Sequence, residues 1–258
     1  MSKEILSNDS PLVNLDELPS WILYEDENLI IINKPGWLVC HPSKNGPLSS
    51  LISAVREYLQ QEETLHLVHR LDRETSGIIL IAKNKFTSRP LQIAIENKEF
   101  KKIYWGILEG EIQEEFKVSA PICGDRKSPV VVKQRALPDP KGGGKESETL
   151  YRPLEFRNGY TLCEIIPITG RKHQIRVHAQ FAGHCIAGDK LYGPDEQLYL
   201  RFTEVGWTED HEKLLPIKRQ ALHARKLTFQ YQEKPFTIEA PLLEDMDEFW
   251  SRLLKENQ

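Results

Sequence analysis

Three short runs hold residue types that could do chemistry. In Val68-His69-Arg70-Leu71-Asp72-Arg73-Glu74-Thr75-Ser76-Gly77, a strand-like stretch delivers Asp72 into a polar turn. Arg70 and Arg73 flank it, and nearby positive charge keeps a carboxylate ionised. An ionised, held carboxylate can act as a nucleophile. The plain alternative is a surface turn that Asp72 caps through its own backbone. In Ile168-Thr169-Gly170-Arg171-Lys172-His173-Gln174-Ile175-Arg176-Val177-His178, Thr169 is placed to cap a helix ending at Gly183. Lys172 and Arg176 then share a helix face at i, i+4, with His173 adjacent. A capped, basic helix start suits an anion such as phosphate, and a solvated basic face is the alternative. In Lys101-Lys102-Ile103-Tyr104-Trp105-Gly106, read as a strand, Lys102 and Tyr104 point the same way. That pair suits base stacking with backbone contact, against a core Tyr with a snorkelling Lys.

These runs must be carried by regular elements. Trp21 to Pro35 reads as a hairpin turning at Asp26-Glu27-Asn28. Leu48, Leu51, Ile52, Val55, Tyr58 and Leu59 recur at helical spacing. Leu65 to Leu71 and Ile78 to Ala82 read as strands around the Asp72 turn. A helix follows to about Lys98, and Ser88 as its cap would put Pro90 harmlessly in the first turn. Lys102–Leu108, Val118–Ile122, Val130–Gln134, Thr149–Phe156 and Thr161–Pro167 read as strands. Leu227 to Ala240 alternates as a late hairpin, and Met246, Phe249, Trp250, Leu253 and Leu254 line an amphipathic closing helix. Strands in hairpin-connected runs with few helices between them favour an α+β fold with a mixed, largely antiparallel sheet. Pro138 to Lys145 is a Gly- and Pro-rich loop, and polar 194–220 reads as an insertion loop or mobile flap.

Composition narrows the class. The 258 residues, 40% hydrophobic and 28% charged, describe a globular chain able to bury a core rather than a disordered one. No apolar run nears the roughly 20 residues of a membrane span, and the acidic first residues lack the apolar core of a signal peptide. Cys40, Cys123, Cys163 and Cys185 form no C-x-x-C pair, which argues against a zinc ribbon or disulfide framework and for a reducing cytosol. The net charge of -4 conceals a basic middle, 31 Lys and Arg against 25 acids over 33–238, between acidic ends. That distribution permits a polyanionic partner without requiring one.

Taken in order, H-R-L-D-x-x-T-S-G, K-x-Y and T-G-R-x-H-Q-I-R-x-H resemble the RluA-type pseudouridine synthases. So do Asn33-Lys34-Pro35-Gly36, the run from Gly183 to Gly193 that includes Gly188-Asp189 and Leu191-Tyr192, and Ala221-Leu222-His223-Ala224. The similarity spans about 20–243, after an acidic tail over 1–19 and before a C-terminal helix over 244–258. The resemblance implies a pseudouridine synthase fold with helices and loops flanking the sheet, RNA (tRNA or rRNA) as partner, and no metal, nucleotide or redox cofactor. The short acidic lead leaves no room for an S4-type RNA-binding domain, so the catalytic part would select its RNA. A cytoplasmic, monomeric enzyme that touches no membrane is expected.

The resemblance also assigns roles. Asp72 matches the catalytic aspartate, Tyr104 the active-site tyrosine that stacks on the base, and Arg176 the arginine paired with the aspartate. Arg70 matches the arginine that fills the gap left by the flipped uridine. Ile175 and Leu222 fall where apolar residues line the uracil pocket. Lys102, Arg171, Lys172 and His173 would meet the RNA. A uridine inside folded RNA hides its glycosidic bond, so extrusion is needed, and a planar guanidinium can both stack and bind phosphate. Attack at C1′, attack at C6 and a glycal route all stay open for Asp72. Tyr104, with a free pKa of about 10, would need help to act as a base. The rival class is a non-catalytic RNA-binding protein or chaperone on the same fold, for which a carboxylate facing RNA would be a liability. A kinase loop fails because Leu71 interrupts H-R-D, a zinc site because no Cys pair joins the histidines, and a glycosidase because Glu74 is its sole second carboxylate.

Overall fold

The computed structural model describes residues 11–41, 46–60, 64–139 and 142–255. In chain order the strands are β1 Ile22–Glu25, β2 Leu29–Lys34, β3 His66–Leu67, β4 Ser76–Ala82, β5 Lys101–Glu109, β6 Phe116–Ser119, β7 Ile122–Gly124, β8 Gln134–Ala136, β9 Glu148–Arg157, β10 Tyr160–Pro167, β11 Leu222–Tyr231 and β12 Lys234–Glu239. The helices are α1 Leu51–Leu59, α2 Lys85–Glu96, α3 Gln174–Phe181, α4 Gln197–Val205, α5 Glu209–Leu214 and α6 Glu244–Lys255, with short 3-10 turns at Leu18–Trp21 and Pro47–Ser49. Contacts group the described chain into two compact units, 11–102 with 223–243, and 103–222 with 244–255.

In the first unit β2 pairs antiparallel with both β1 and β4. β3 lies antiparallel on β4, and β12 antiparallel on β11. Every residue of β2 and β4 is buried. This explains their unbroken apolar runs, since a strand covered on both faces has no polar side to alternate with. β11 joins β4 in parallel, His223 opposite Ser76 and Ala224 opposite Gly77. Gly77 makes that pairing possible: its φ is +107°, and a Cβ there would sit 2.4 Å from the Ala224 carbonyl oxygen. The hairpin turn between β1 and β2 is tied by Asp26, which accepts from the Asn28 and Leu29 N–H groups at 2.8 Å each and from the Tyr24 and Tyr231 hydroxyls at 2.9 and 2.8 Å.

In the second unit β10 lies between β5 and β9, and β6 borders β9, all antiparallel; β7 and β8 form a separate two-stranded ribbon. Val177, Leu191, Tyr192, Ile122 and Val130 make one core cluster. α6 buries Met246, Phe249, Trp250 and Leu253, and the Arg157 guanidinium lies 4.5 Å from the Trp250 ring centre.

Several expectations need correction. α2 starts at Lys85, capped by Asn84, whose side chain accepts from the Thr87 N–H at 2.9 Å. Ser88 is therefore no cap, and Pro90 sits in the second turn at the loss of one helical hydrogen bond. The 65–71 strand shrinks to β3, and Val130–Lys133 forms a turn, closed by Lys133 N–H to Val130 O at 2.9 Å, ahead of β8. α3 starts at Gln174, not after Thr169, because His173 is left-handed at φ +56° and a right-handed helix cannot run through it. The Thr169 hydroxyl instead donates to the Gln174 side chain at 2.6 Å. The 194–220 stretch is not a loop: it folds into α4 and α5. Lys190, almost fully buried, anchors it by donating to the Lys218 carbonyl at 2.6 Å, with its ammonium 4.7 Å from the Phe202 ring centre and 5.4 Å from that of Trp207.

Candidate active site

In the first unit the loop from Arg70 to Thr75 is fixed through its main chain. The Lys34 ammonium, wholly buried, donates to the carbonyls of Pro35, Leu38 and Arg73 at 2.9, 2.8 and 2.9 Å. The Cys40 thiol meets the Leu71 carbonyl at 3.3 Å, and Arg73 Nε donates to the Trp37 carbonyl at 3.2 Å. Thr75 N–H closes the turn on the Asp72 carbonyl at 3.1 Å. At the exit Ser76 Oγ lies 2.9 Å from His223 Nδ1, whose other ring nitrogen meets the Ala240 carbonyl at 3.3 Å. The carboxyl-bearing Asp72 is half-buried at the head of this pinned turn, and Arg70 is exposed. Arg70 Nη1 reaches His41 Nε2 at 3.2 Å, so that nitrogen must accept; burial, then the Arg70 charge, lower the His41 pKa and keep the ring neutral.

His69 immediately precedes this loop. Its Nε2 is buried and has no hydrogen-bond partner among the described residues. Burial, then the Lys102 charge, push its pKa down to about 3, so it is neutral. Burial also lowers the Lys102 pKa. Lys102 and Tyr104 share one face of β5, as strand alternation requires. Gly106 follows on that face. A Cβ on it would meet Ile165 Cδ1 at 2.7 Å and Leu222 Cδ1 at 3.5 Å, so these two apolar side chains close over β5 beside the Tyr104 position. Leu222 is 3% exposed and Ile175 7%, apolar positions with little solvent contact.

In the second unit the residues of the 168–178 run divide. Arg171 and Lys172 are exposed and precede α3, so Lys172 and Arg176 do not share a helix face; the left-handed His173 intervenes. Arg171 Nε donates to the Glu146 carbonyl at 2.9 Å. Gln174 locks the approach: its amide accepts from Thr169 Oγ1 and Arg171 N–H, and donates to Glu148 O and Thr149 Oγ1, all within 2.6–3.0 Å. His178 is wholly buried between Thr149 Oγ1 and the Ala120 carbonyl, each at 2.9 Å.

Arg176 is held in a way the sequence reading missed. Its Nε and Nη2 donate to the two carboxylate oxygens of Asp189 at 2.6 and 2.9 Å. The guanidinium lies 4.9 Å from the Tyr192 ring centre. Asp189 is wholly buried and accepts two further bonds, from the Leu191 and Tyr192 N–H groups at 3.0 Å each. Burial works to raise its pKa, but the charge and hydrogen bonds of Arg176, with the two N–H groups, outweigh this and hold it low. Burial and Asp189 push the neighbouring Glu109 carboxyl up, and burial, Glu109 and Asp189 push the Cys185 thiol to about 11. The Tyr192 hydroxyl accepts from Gln134 N–H and lies 2.9 Å from His173 Nδ1. The signal was present as Gly188-Asp189-Lys190-Leu191-Tyr192, a carboxylate directly after a glycine. That glycine is required, since its φ is +75° and a Cβ would sit 2.2 Å from the Arg219 carbonyl oxygen. Among the described residues no three His, Cys, Asp or Glu side chains gather as a metal site.

Similarity to known proteins extends over most of the chain. Residues 28–181 match a family described as RNA pseudouridylate synthase. The chain is 37% identical over 234 residues to ribosomal large subunit pseudouridine synthase C of Vibrio vulnificus (strain CMCP6), covering 90% of this chain and 68% of that protein. The protein of the same description from Escherichia coli (strain K12) is 35% identical over 237 residues, covering 91% and 69%. Among solved structures, human RNA pseudouridylate synthase domain containing 4 superposes with a TM-score of 0.72 at 25% identity, covering 93% of this chain and 95% of that one.

Proposed function

The chain belongs to the RNA pseudouridylate synthase family, and on that premise we propose that it isomerises uridines of large-subunit ribosomal RNA with Asp72, Tyr104 and Arg176 as its catalytic set. It is an RNA pseudouridine synthase, an isomerase on the pseudouridine synthase fold, and RNA is its substrate. The reaction breaks the N1–C1′ bond, turns the uracil and joins C5 to C1′. C5 loses a proton and N1 gains one, so the product is an isomer and no co-reactant is consumed.

Asp72 supplies the catalytic carboxylate in this reading, supported by a turn whose main chain is pinned while its carboxyl-bearing residue stays half-buried. Tyr104 stacks on the uracil, with Leu222 and Ile175 as apolar walls, and Arg176 supplies a fixed guanidinium. Arg70, exposed and planar, takes the place of the extruded uridine. Lys102, Arg171, Lys172 and His173 meet the RNA. The preference for ribosomal RNA of the large subunit rests on one observation: relatives of that description match over nine-tenths of this chain. No described helix is long and apolar enough to cross a membrane, and a cytoplasmic location is in keeping with a ribosomal substrate.

The test is tritium release from RNA labelled at uridine C5, because forming the C5–C1′ bond expels that hydrogen. Ribosomal RNA and tRNA from cells lacking the protein are assayed separately, with Asp72→Asn as control. Release from ribosomal RNA by the wild type alone supports the proposal. Release from tRNA alone moves the substrate assignment. Binding without release from either pool favours an RNA-binding protein.

A further inference from the structure

We propose that Asp189 is a positioning residue of the reaction: it clamps Arg176 so that one end of the guanidinium is presented to the reacting groups in a single orientation. The inference rests on the catalytic reading of Arg176 and deepens it. An arginine side chain has four soft torsions, and an unrestrained guanidinium samples many orientations. Here the Nε–Nη2 edge is taken up by both oxygens of one carboxylate, at 2.6 and 2.9 Å. The guanidinium carbon lies 4.9 Å from the Tyr192 ring centre, within cation–π range. Two bonds from one edge and the Tyr192 ring contact fix position and rotation together, which a single ion pair cannot do. The Nη1 end is the part of the guanidinium that this clamp does not consume.

The clamp is itself rigid. Asp189 Oδ1 also takes the N–H groups of Leu191 and Tyr192, so the carboxylate accepts four hydrogen bonds, three on Oδ1 and one on Oδ2, and its own rotation is blocked. Tyr192 is held at its far end by the Gln134 N–H and at its carbonyl by Gln180 Nε2 at 3.0 Å. A buried carboxylate with a cation, two amides and a depressed pKa stays ionised at neutral pH. If Arg176 served only to neutralise a buried acid, the Tyr192 ring contact and the bonds fixing Tyr192 would add nothing. They matter for a group whose direction matters.

The experiment measures tritium release, RNA affinity and thermal unfolding for wild type, Asp189→Asn, Arg176→Lys and the double variant, all full-length. Asn keeps the shape and the acceptor oxygen, but its NH2 faces the Arg176 Nε–H, donor against donor, so the clamp opens. We expect kcat to fall about 100-fold for Asp189→Asn with KM and RNA affinity within about twofold of wild type, since misplacement by about 1 Å costs that much. In the Arg176→Lys background the same change should cost less than about threefold, because the group it orients is gone. An equal cost in both backgrounds, or wild-type kcat for Asp189→Asn, overturns the proposal. Wild-type kcat for Arg176→Lys instead overturns the catalytic reading of Arg176, whatever Asp189 does. If Asp189→Asn does not fold, the Arg176 Nε–H and Nη2 resonances of the wild type decide. Slow solvent exchange and hindered rotation support the clamp, and free rotation overturns it.

Discussion

Around Asp72 the protein grips main chain; around Arg176 it grips a side chain. Lys34, Arg73 and Cys40 all end on carbonyl oxygens, and their work is to fix the path of the turn. Asp189 and Tyr192 end on the guanidinium itself. The first arrangement places the Cα that carries the carboxylate. The second fixes atoms. In the proposed reaction the first sets the point from which the Asp72 carboxylate acts. A cation whose field must point one way is served by the second.

The contrast predicts different symptoms for damage in the two places. The largest effect is expected at Asp72 itself. Asp72→Asn should lower turnover on the order of 10⁴-fold or more while RNA affinity persists, since charge is lost and shape kept. Parallel loss of affinity in a filter-binding assay would contradict that role. Next come the residues that grip main chain, whose loss should register as stability rather than chemistry. Lys34→Met leaves three carbonyls short of their donor. We expect a cost of roughly 3–5 kcal/mol in denaturant unfolding, with turnover per folded molecule largely kept. A full-stability variant with collapsed kcat would erase the distinction drawn here. Gly77→Ala should cost roughly 2–4 kcal/mol, from its positive φ and the approach of the Ala224 backbone, read as a lowered midpoint at unchanged m.

A smaller effect is expected at Arg70, whose exposed guanidinium meets His41. Arg70→Ala should slow the stopped-flow base-extrusion signal about tenfold, about 1.4 kcal/mol, and leave unfolding unchanged. An unchanged extrusion rate removes it from flipping. The smallest effect concerns Asp26. Burial acts to raise its pKa, but the N–H groups of Asn28 and Leu29 and the hydroxyls of Tyr231 and Tyr24 prevail and lower it. A lowered native pKa adds stability above the unfolded value, near 3.9, that is lost as pH falls through the native one. The acid limb of the stability curve should therefore flatten in Asp26→Asn, and an unaltered limb would show that the turn does not depend on that charge.

How legible these regions were follows from how local their causes are. The β2 and β4 strands and the closing helix were readable because their apolar pattern answers to burial alone. The family was readable because H-R-L-D, K-x-Y and the 168–178 run keep their order. What failed turned on a single backbone angle or a distant partner. The α3 start moved because His173 took a left-handed conformation that no side-chain pattern announces. The α2 cap moved because the Asn84 side chain was available one turn earlier than Ser88. The carboxylate bound to Arg176 lies 13 residues on, and nothing in spacing alone selects Asp189 over Glu109 or Glu164. The 194–220 stretch looked like loop because its polarity hid the few buried residues, Leu198, Phe202 and His211, that hold it.

That stretch has one more consequence. Lys190 is the residue after Asp189 and is the post on which α4 and α5 hang, between Phe202, Trp207 and the Lys218 carbonyl. Peeling the two helices away would expose a bare ammonium socket beside the Asp189 turn. In hydrogen–deuterium exchange their amides should open together with that turn, as one cooperative unit, and a protease should find no early cut between Pro194 and Gln220.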